Sequence, residues 1–276
     1  MSLTINTNLQ SLLIQNQVNR TQYSLGKTMD QLSSGKRINS AADDPAGLII
    51  SEQLSSTLGG VRTALDNVQQ ANSVIQTADG ALSGISDLLN KARSLALGAQ
   101  SSATNDASTT QANSAAFNSI VSSIQKIASD TQFGTQRILD GSFTDKTVQA
   151  GPEGGQGVPL SISSATADSL GLSSQNIDTV EGATAALDAI DNAINTVSAQ
   201  RGSLGATQSD LLDSASASLA AQDAGLSEAD STISDADMAK LASDLAHQKI
   251  LAQASIAMLA QANQQPQSVL RLLGVG

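Results

Sequence analysis

The chain has 276 residues, a formal net charge of −11 and no cysteine, which excludes a disulfide framework and thiolate metal sites and argues against nucleic acid as a partner. Aromatic residues make up 1%, too few to fill a wide core with rings, so a core of Ala, Leu, Ile and Val in slender helix pairs is expected. No apolar run nears the roughly 20 residues that cross a bilayer. Residues 1–20 lack the basic and apolar regions of a conventional signal peptide, so neither membrane insertion nor a cleaved leader is expected.

Residues 1–40 read as an amphipathic helix. Ile5, Leu9, Leu12 and Leu13 begin an apolar stripe, and Val18, Leu25, Met29 and Leu32 continue it. Gly35 and the polar run to Asp43-Asp44-Pro45 end the helix, and an Asp followed by Pro at the first helical position starts the next one. No proline interrupts residues 46–97. There the apolar steps of four and three through Leu54, Leu58, Val61, Leu65, Val68, Ile75 and Leu82 form a heptad seam. Asn72 and Asp79 read as polar seam positions, and two successive steps of three, Asn72–Ile75–Ala78, read as a register change.

A third helix is expected over about 106–131, with Phe117, Ile120, Val121, Ile124 and Ile127 inward. Residues 132–175 are rich in Gly and hydroxyl side chains. Strands are expected at 137–139, 147–149 and 158–162 in a small hairpin sheet. From Glu181 the heptad returns through Leu187, Ile190, Ile194, Val197, Arg201, Leu204, Gln208, Leu211, Ala215 and Ser218, a partner seam for the first. A last amphipathic helix runs from about Asp235 to Leu273. Met238, Leu241, Leu245, Ala252, Ile256 and Leu259 lie on one face, Pro266 is an expected kink, and Val269, Leu270, Leu272 and Leu273 form an apolar tail.

This order predicts a mainly α fold: an elongated antiparallel coiled-coil or helical-bundle rod with a small β-hairpin region and paired terminal helices. The terminal stripes are too apolar to stay exposed and point to burial against each other and against other copies.

Chemistry is sparse. His247 is the only histidine and has no companion ligand. Asp43-Asp44 and Asp235/Asp237 each precede a helix and read as caps. The segment Ser33-Ser34-Gly35-Lys36 lacks the upstream glycine of a phosphate loop. The expectation is a non-enzyme with no cofactor and no metal.

Several motifs occur in order. Ser33, Ser34, Gly35, Arg37, Ile38 and Asn39 are followed by Asp43, Asp44 and Gly47; Arg201 and Gly205 lie in the inner C-terminal helix; Asp235 and Asp237 come next, and the stretch 253–270 closes the series. Together with Gln132-Phe133-Gly134 and Leu139-Asp140-Gly141 they resemble the bacterial flagellin family over nearly the whole chain. The resemblance implies a structural subunit that self-assembles into the extracellular flagellar filament, with a hook–filament junction protein as the alternative. It implies export through the flagellar type III channel. The implied partners are further copies of itself, other flagellins, the filament cap, junction proteins, an export chaperone and the export apparatus.

It also implies a division into D0 (residues 1–43 plus 235–276), D1 long helices (44–131 plus 176–234) and a D1 hairpin region (132–175), with no large outer domain. Where receptor-sensed members carry a Gln-Arg-x-Arg-Glu-Leu stretch, this chain has Asn90, Lys91, Ala92, Arg93, Ser94 and Leu95, a degenerate match. The family's Asn-Arg pair after the Leu-Gly-Ala segment is replaced by Ser209-Asp210.

Overall fold

The computed structural model describes residues 8–101, 106–272 and 274, with side chains of the last helix through Gln264. The expected stripe residues Ile5 and Leu273 lie outside the described residues, as do the side chains of Pro266, Val269, Leu270 and Leu272. Six α-helices are present among them: α1 Leu9–Ser34, α2 Pro45–Ala99, α3 Ala107–Asp130, α4 Val180–Ala206, α5 Asp213–Ser234 and α6 Met238–Leu272. The last of these runs past position 266 as one helix. Two compact units are formed, Thr57–Gly225 and the two chain ends, Met1–Ser56 with Leu226–Gly276.

In the Thr57–Gly225 unit, α2 supplies the spine. From Val61 a buried stripe alternates by three and four without a break through Ala64, Val68, Ala71, Ile75, Ala78, Leu82, Ile85, Leu89, Ala92, Ala96 and Ala99, with Val74 buried beside it. This corrects the expected seam in two places. Asn72 and Asp79 are only half-buried and flank the stripe, and Leu65 yields its place to Ala64. The two successive steps of three fall at Leu58–Val61–Ala64 instead of Asn72–Ile75–Ala78. The cause is side-chain size: an alanine in the seam lets the facing helix come close.

The flanking polar residues instead reach across to α4 and α5. Arg62 pairs with Asp223, Arg201 with Asp79 and Arg93 with Asp191, each at 2.7 Å. Asn72 Nδ2 donates to Asp213 Oδ1 and Gln100 Nε2 to Thr184 Oγ1. Partners rise in number along α2 as they fall along α5 and α4, so the pairing is antiparallel, as expected. Exposed ion pairs contribute about 1 kcal/mol or less each, so these fix register more than they add stability.

The partner seam begins with Ala183, Ala186, Ile190, Ala193, Val197 and Leu204, all buried. Between α4 and α5, Thr207–Leu212 form a π-helical turn, and the Asp213 amide donates to the Gln208 carbonyl five residues back. A π turn inserts one residue into the helix. The expected seam residue Leu211 is therefore 46% exposed, while Leu212 is fully buried. The seam then continues at Leu219, 2% exposed, where the sequence pattern pointed to Ala215 and Ser218. The apolar stripe moves over by one residue and runs on at sevenfold spacing from Leu212 to Leu219.

α3 starts on Asp106, whose carboxylate accepts from the Thr109 amide at 2.7 Å and is held down to about 2 by that bond. It buries Phe117, Ile124 and Ala128, while Ile120, Val121 and Ile127 are half-buried. The Gly-rich middle forms two separate hairpins in place of one sheet. β1 (Gln132–Phe133) pairs with β2 (Gln136–Arg137), and β3 (Lys146–Gln149) with β4 (Gly157–Leu160), both antiparallel. Ile138 and Leu139, expected in a strand, leave the first ladder and are fully buried. The stretch after β4 has little regular structure yet buries Ile162, Ala165, Leu172 and Ile177.

Candidate functional site

The chain ends form an antiparallel helix pair. Asn8 Nδ2 donates to the Ala262 carbonyl and Ser11 Oγ to Asn263 Oδ1, at 2.9 and 2.7 Å. At the other end the Ala236 amide donates to the Gly35 carbonyl at 3.0 Å. Along α1 the buried and half-buried positions follow a strict heptad: Ser11, Ile14, Val18, Thr21, Leu25, Thr28 and Leu32. Along α6 they are Leu241, Leu245, Gln248, Ala252, Ser255, Leu259 and Ala262. Sequence reasoning missed Thr21, Thr28, Gln248 and Ser255 because it weighted apolar residues. The sevenfold spacings Thr21–Thr28 and Gln248–Ser255 were the available signal.

The seam is thus partly polar. Thr21 satisfies its hydroxyl on the Gln17 carbonyl, and Gln248 Oε1 is buried with no hydrogen-bond partner among the described residues. Several large apolar groups lie outside the seam. Leu9, Leu13 and Tyr23 are 64%, 63% and 77% exposed, and Leu12 is exposed beside them. At 100° per residue these four lie on the side of α1 away from the seam. On α6 Ile250 lies opposite the seam and is 64% exposed, with exposed Leu251 and Met258 to one side. Met29, Met238 and Ile256, expected within the packed stripes, are about half exposed. Leu25, Leu32, Leu245 and Leu259 do belong to the seam.

At the base of this pair the motif residues converge on four helix ends. Gly35 closes α1 in the left-handed conformation, φ +71, its amide donating to the Gln31 carbonyl. Ser34 Oγ accepts from the Lys36 amide, while Ser33 is exposed. Asp44 caps α2: its Oδ1 accepts from the Gly47 amide at 2.9 Å, with Pro45 at the first helical position. Asp237 caps α6 through the Ala239 and Lys240 amides, both at 3.0 Å. Asp235 sits in a single β-bridge with Lys36. Arg37 donates from Nε and Nη2 to the Ile233 carbonyl at 3.1 and 2.6 Å, one residue before the end of α5. Ile38 is buried beneath, with Gly47 against it.

Asp43 holds the α1–α2 connector. It forms an ion pair with Lys27 at 2.7 Å and accepts from the Asn39 and Ser40 amides and the Ser40 hydroxyl. The Lys27 ammonium and these donors push its carboxyl down to about 2. A depressed pKa adds stability above the unfolded value, about 4 for Asp, and that contribution is lost as pH falls toward 2. The Asn39 and Ser40 amides should lose hydrogen-exchange protection across that window in the native chain. In Asp43→Asn they should be weakly protected at every pH; equal acid sensitivity in both would refute the assignment.

The degenerate receptor stretch lies on α2. Asn90, Lys91 and Ser94 are exposed, and Ser94 Oγ donates to the Lys91 carbonyl. Arg93 is engaged by Asp191, which raises the pKa of the guanidinium and lowers that of the carboxyl. Gly205 is exposed on α4, three residues before Gln208 in the π turn. Among the described residues no group of three or more His, Cys, Asp and Glu is placed to hold a metal, and no helix is long and apolar enough to cross a membrane.

Residues 5–144 match the family described as the bacterial flagellin N-terminal helical region, and residues 187–273 the bacterial flagellin C-terminal helical region. A flagellin of Halalkalibacterium halodurans is 38% identical over 90% of this chain and 91% of its own length. A flagellin of Bacillus subtilis is 36% identical over 98% of this chain and 99% of its own. A crystal structure of Bacillus cereus flagellin aligns with TM-score 0.49 and 25% identity over 56% of this chain and 88% of that one.

Proposed function

This chain belongs to the bacterial flagellin family, and we propose on that premise that its terminal helix pair is the inner, assembly-driving part of a filament subunit. The family is structural, and its members form the flagellar filament. One observation carries the reading: the pair keeps Thr, Ser and Gln in its own seam while turning Leu9, Leu12, Leu13, Tyr23 and Ile250 outward. Such a face is costly in water, at about 25 cal/mol per Å² of apolar surface, and neighbouring copies offer the same face to cover it.

Residues 1–43 with 235–276 then correspond to the inner tube, and residues 44–234 to the surrounding layer with its hairpins. The cap, junction proteins, chaperone and type III export route are the partners this role requires. Leu9→Glu with Leu13→Glu tests it, because both side chains are exposed and the monomer should fold as before. Purified monomer should keep its circular dichroism and melting, yet add to filament seeds at an undetectable rate. Normal filaments by electron microscopy would refute the assignment of this face.

A further inference from the structure

Four helix ends meet where the two chain ends are joined, and three are capped from their own neighbourhood: α1 by Gly35, α2 by Asp44 and α6 by Asp237. The C-terminus of α5 has a local bond too, from the Asp235 amide to the Ser231 carbonyl at 2.9 Å, and adds a distant donor. Its Ile233 carbonyl accepts from Nε and Nη2 of Arg37, a residue 196 positions away in sequence. Its Ser234 carbonyl accepts from the Arg37 backbone amide at 2.7 Å. The last carbonyls of a helix lack intrahelical partners and carry the negative end of its dipole, so a cation suits them. Arg37 is itself held: Gln31 Nε2 donates to its carbonyl at 2.7 Å, and Asp44 lies 3.9 Å from Nη2.

The partly polar seam between α1 and α6 does not fix register strongly. Its leucines (Leu25 and Leu32, Leu245 and Leu259) recur at multiples of seven between Thr21, Thr28, Gln248 and Ser255, so apolar contact alone discriminates weakly against a slip of seven. The Arg37 cap and the Ala236–Gly35 bond pin the offset where the last turn of α1 meets the first turn of α6, and the Asn8–Ala262 and Ser11–Asn263 bonds match it at the far end. A slip would misplace Leu9, Leu12 and Leu13 relative to Ile250 and Met258.

We infer that Arg37 is a positioning residue for assembly: by capping α5 it sets the register of α1 on α6 and so composes the outward apolar face. The inference rests on the filament-subunit reading above.

The test uses the full chain, which has no native cysteine. Ser11→Cys with Asn263→Cys reports register, since the native side chains are 2.7 Å apart. In this background Arg37→Ala should lower the yield of the intramolecular disulfide several-fold. Arg37→Lys, which keeps a donor but loses the fork, should restore part of it. Without the cysteines, Arg37→Ala should raise the critical concentration for seeded polymerisation about tenfold, while melting of the Thr57–Gly225 unit stays put. Tenfold corresponds to about 1.4 kcal/mol.

Unchanged cross-linking, or reduced cross-linking with a normal critical concentration, would overturn the proposal. If Arg37→Ala does not fold, Arg37→Lys decides by the same two measurements. Failure of the native chain to polymerise would count against the filament-subunit reading instead.

Discussion

Deleting Ser209 should leave the protein as stable as before, or slightly more so. Ser209 is exposed within the π turn, and a π turn is an α-helix with one extra residue. Removing that residue restores regular α-helical bonding and leaves Leu204 upstream and Leu212 and Leu219 downstream on the same seam. Deleting Ala199, equally exposed but in regular helix, has the opposite effect. Gly202 would move into the place of Arg201 and Gly205 into that of Leu204, which is 4% exposed. The ion pair to Asp79 and a buried leucine would both go. Large-to-small changes at such sites cost about 2–5 kcal/mol, and a lost exposed pair adds 1 kcal/mol or less. Together that is about 2–6 kcal/mol, which for a unit of this size is a fall in Tm of roughly 4–24 °C at about 2–4 °C per kcal/mol. The Ser209 deletion should shift Tm by about 2 °C at most. Thermal melts by circular dichroism compare the two directly; equal destabilisation would mean that the π turn is not a one-residue insertion.

That pair of deletions also marks where the sequence was readable. Helix ends were clear wherever chemistry punctuates them, as Gly35, Asp44-Pro45 and Asp106 do. The antiparallel seams were clear because heptads repeat over many turns. The π turn was not legible, because a heptad count carried forward from Leu204 lands on Leu211, also a leucine. Only the burial of Leu212 and Leu219 shows the shift. The failure on α2 had another origin. Ala64 and Ala71 look weaker than Leu65 as seam residues, yet their small size permits close approach. At the chain ends an apolar reading found Val18, Leu25, Leu32, Leu245 and Leu259 of the seam but joined the exposed leucines to them, and it missed Thr21, Thr28, Gln248 and Ser255 because polar residues were discounted there. The difference is informative: on α1 the apolar side chains divide between the seam (Val18, Leu25, Leu32) and an outward face (Leu9, Leu12, Leu13).

Gly47 carries the sharpest test of the junction, because two effects of opposite sign compete there. Replacing a helical glycine by alanine ordinarily gains up to about 1 kcal/mol of helix propensity. At Gly47, in the first turn of α2, a Cβ would lie 2.7 Å from Ile38 Cδ1 and closer still to the Asp44 carboxylate. Ile38 is 5% exposed and has little room to withdraw. Asp44 could move only by giving up its bond to the Gly47 amide, a cap whose loss costs about 0.5–2 kcal/mol. Overpacking against Ile38 costs a further ~1–3 kcal/mol. The losses outweigh the gain, so Gly47→Ala should destabilise the paired chain ends by about 1–3 kcal/mol. Gly80→Ala, with nothing within 4 Å of the added methyl, should stabilise by up to about 1 kcal/mol. Hydrogen exchange resolves the two units separately. Gly47→Ala should speed exchange at the Gly35 to Gly47 junction and along α1, and leave the buried amides of α2 beyond Val61 unchanged. Slower exchange at the junction would mean that propensity outweighs packing there, and that Gly47 is not required by the contact with Ile38.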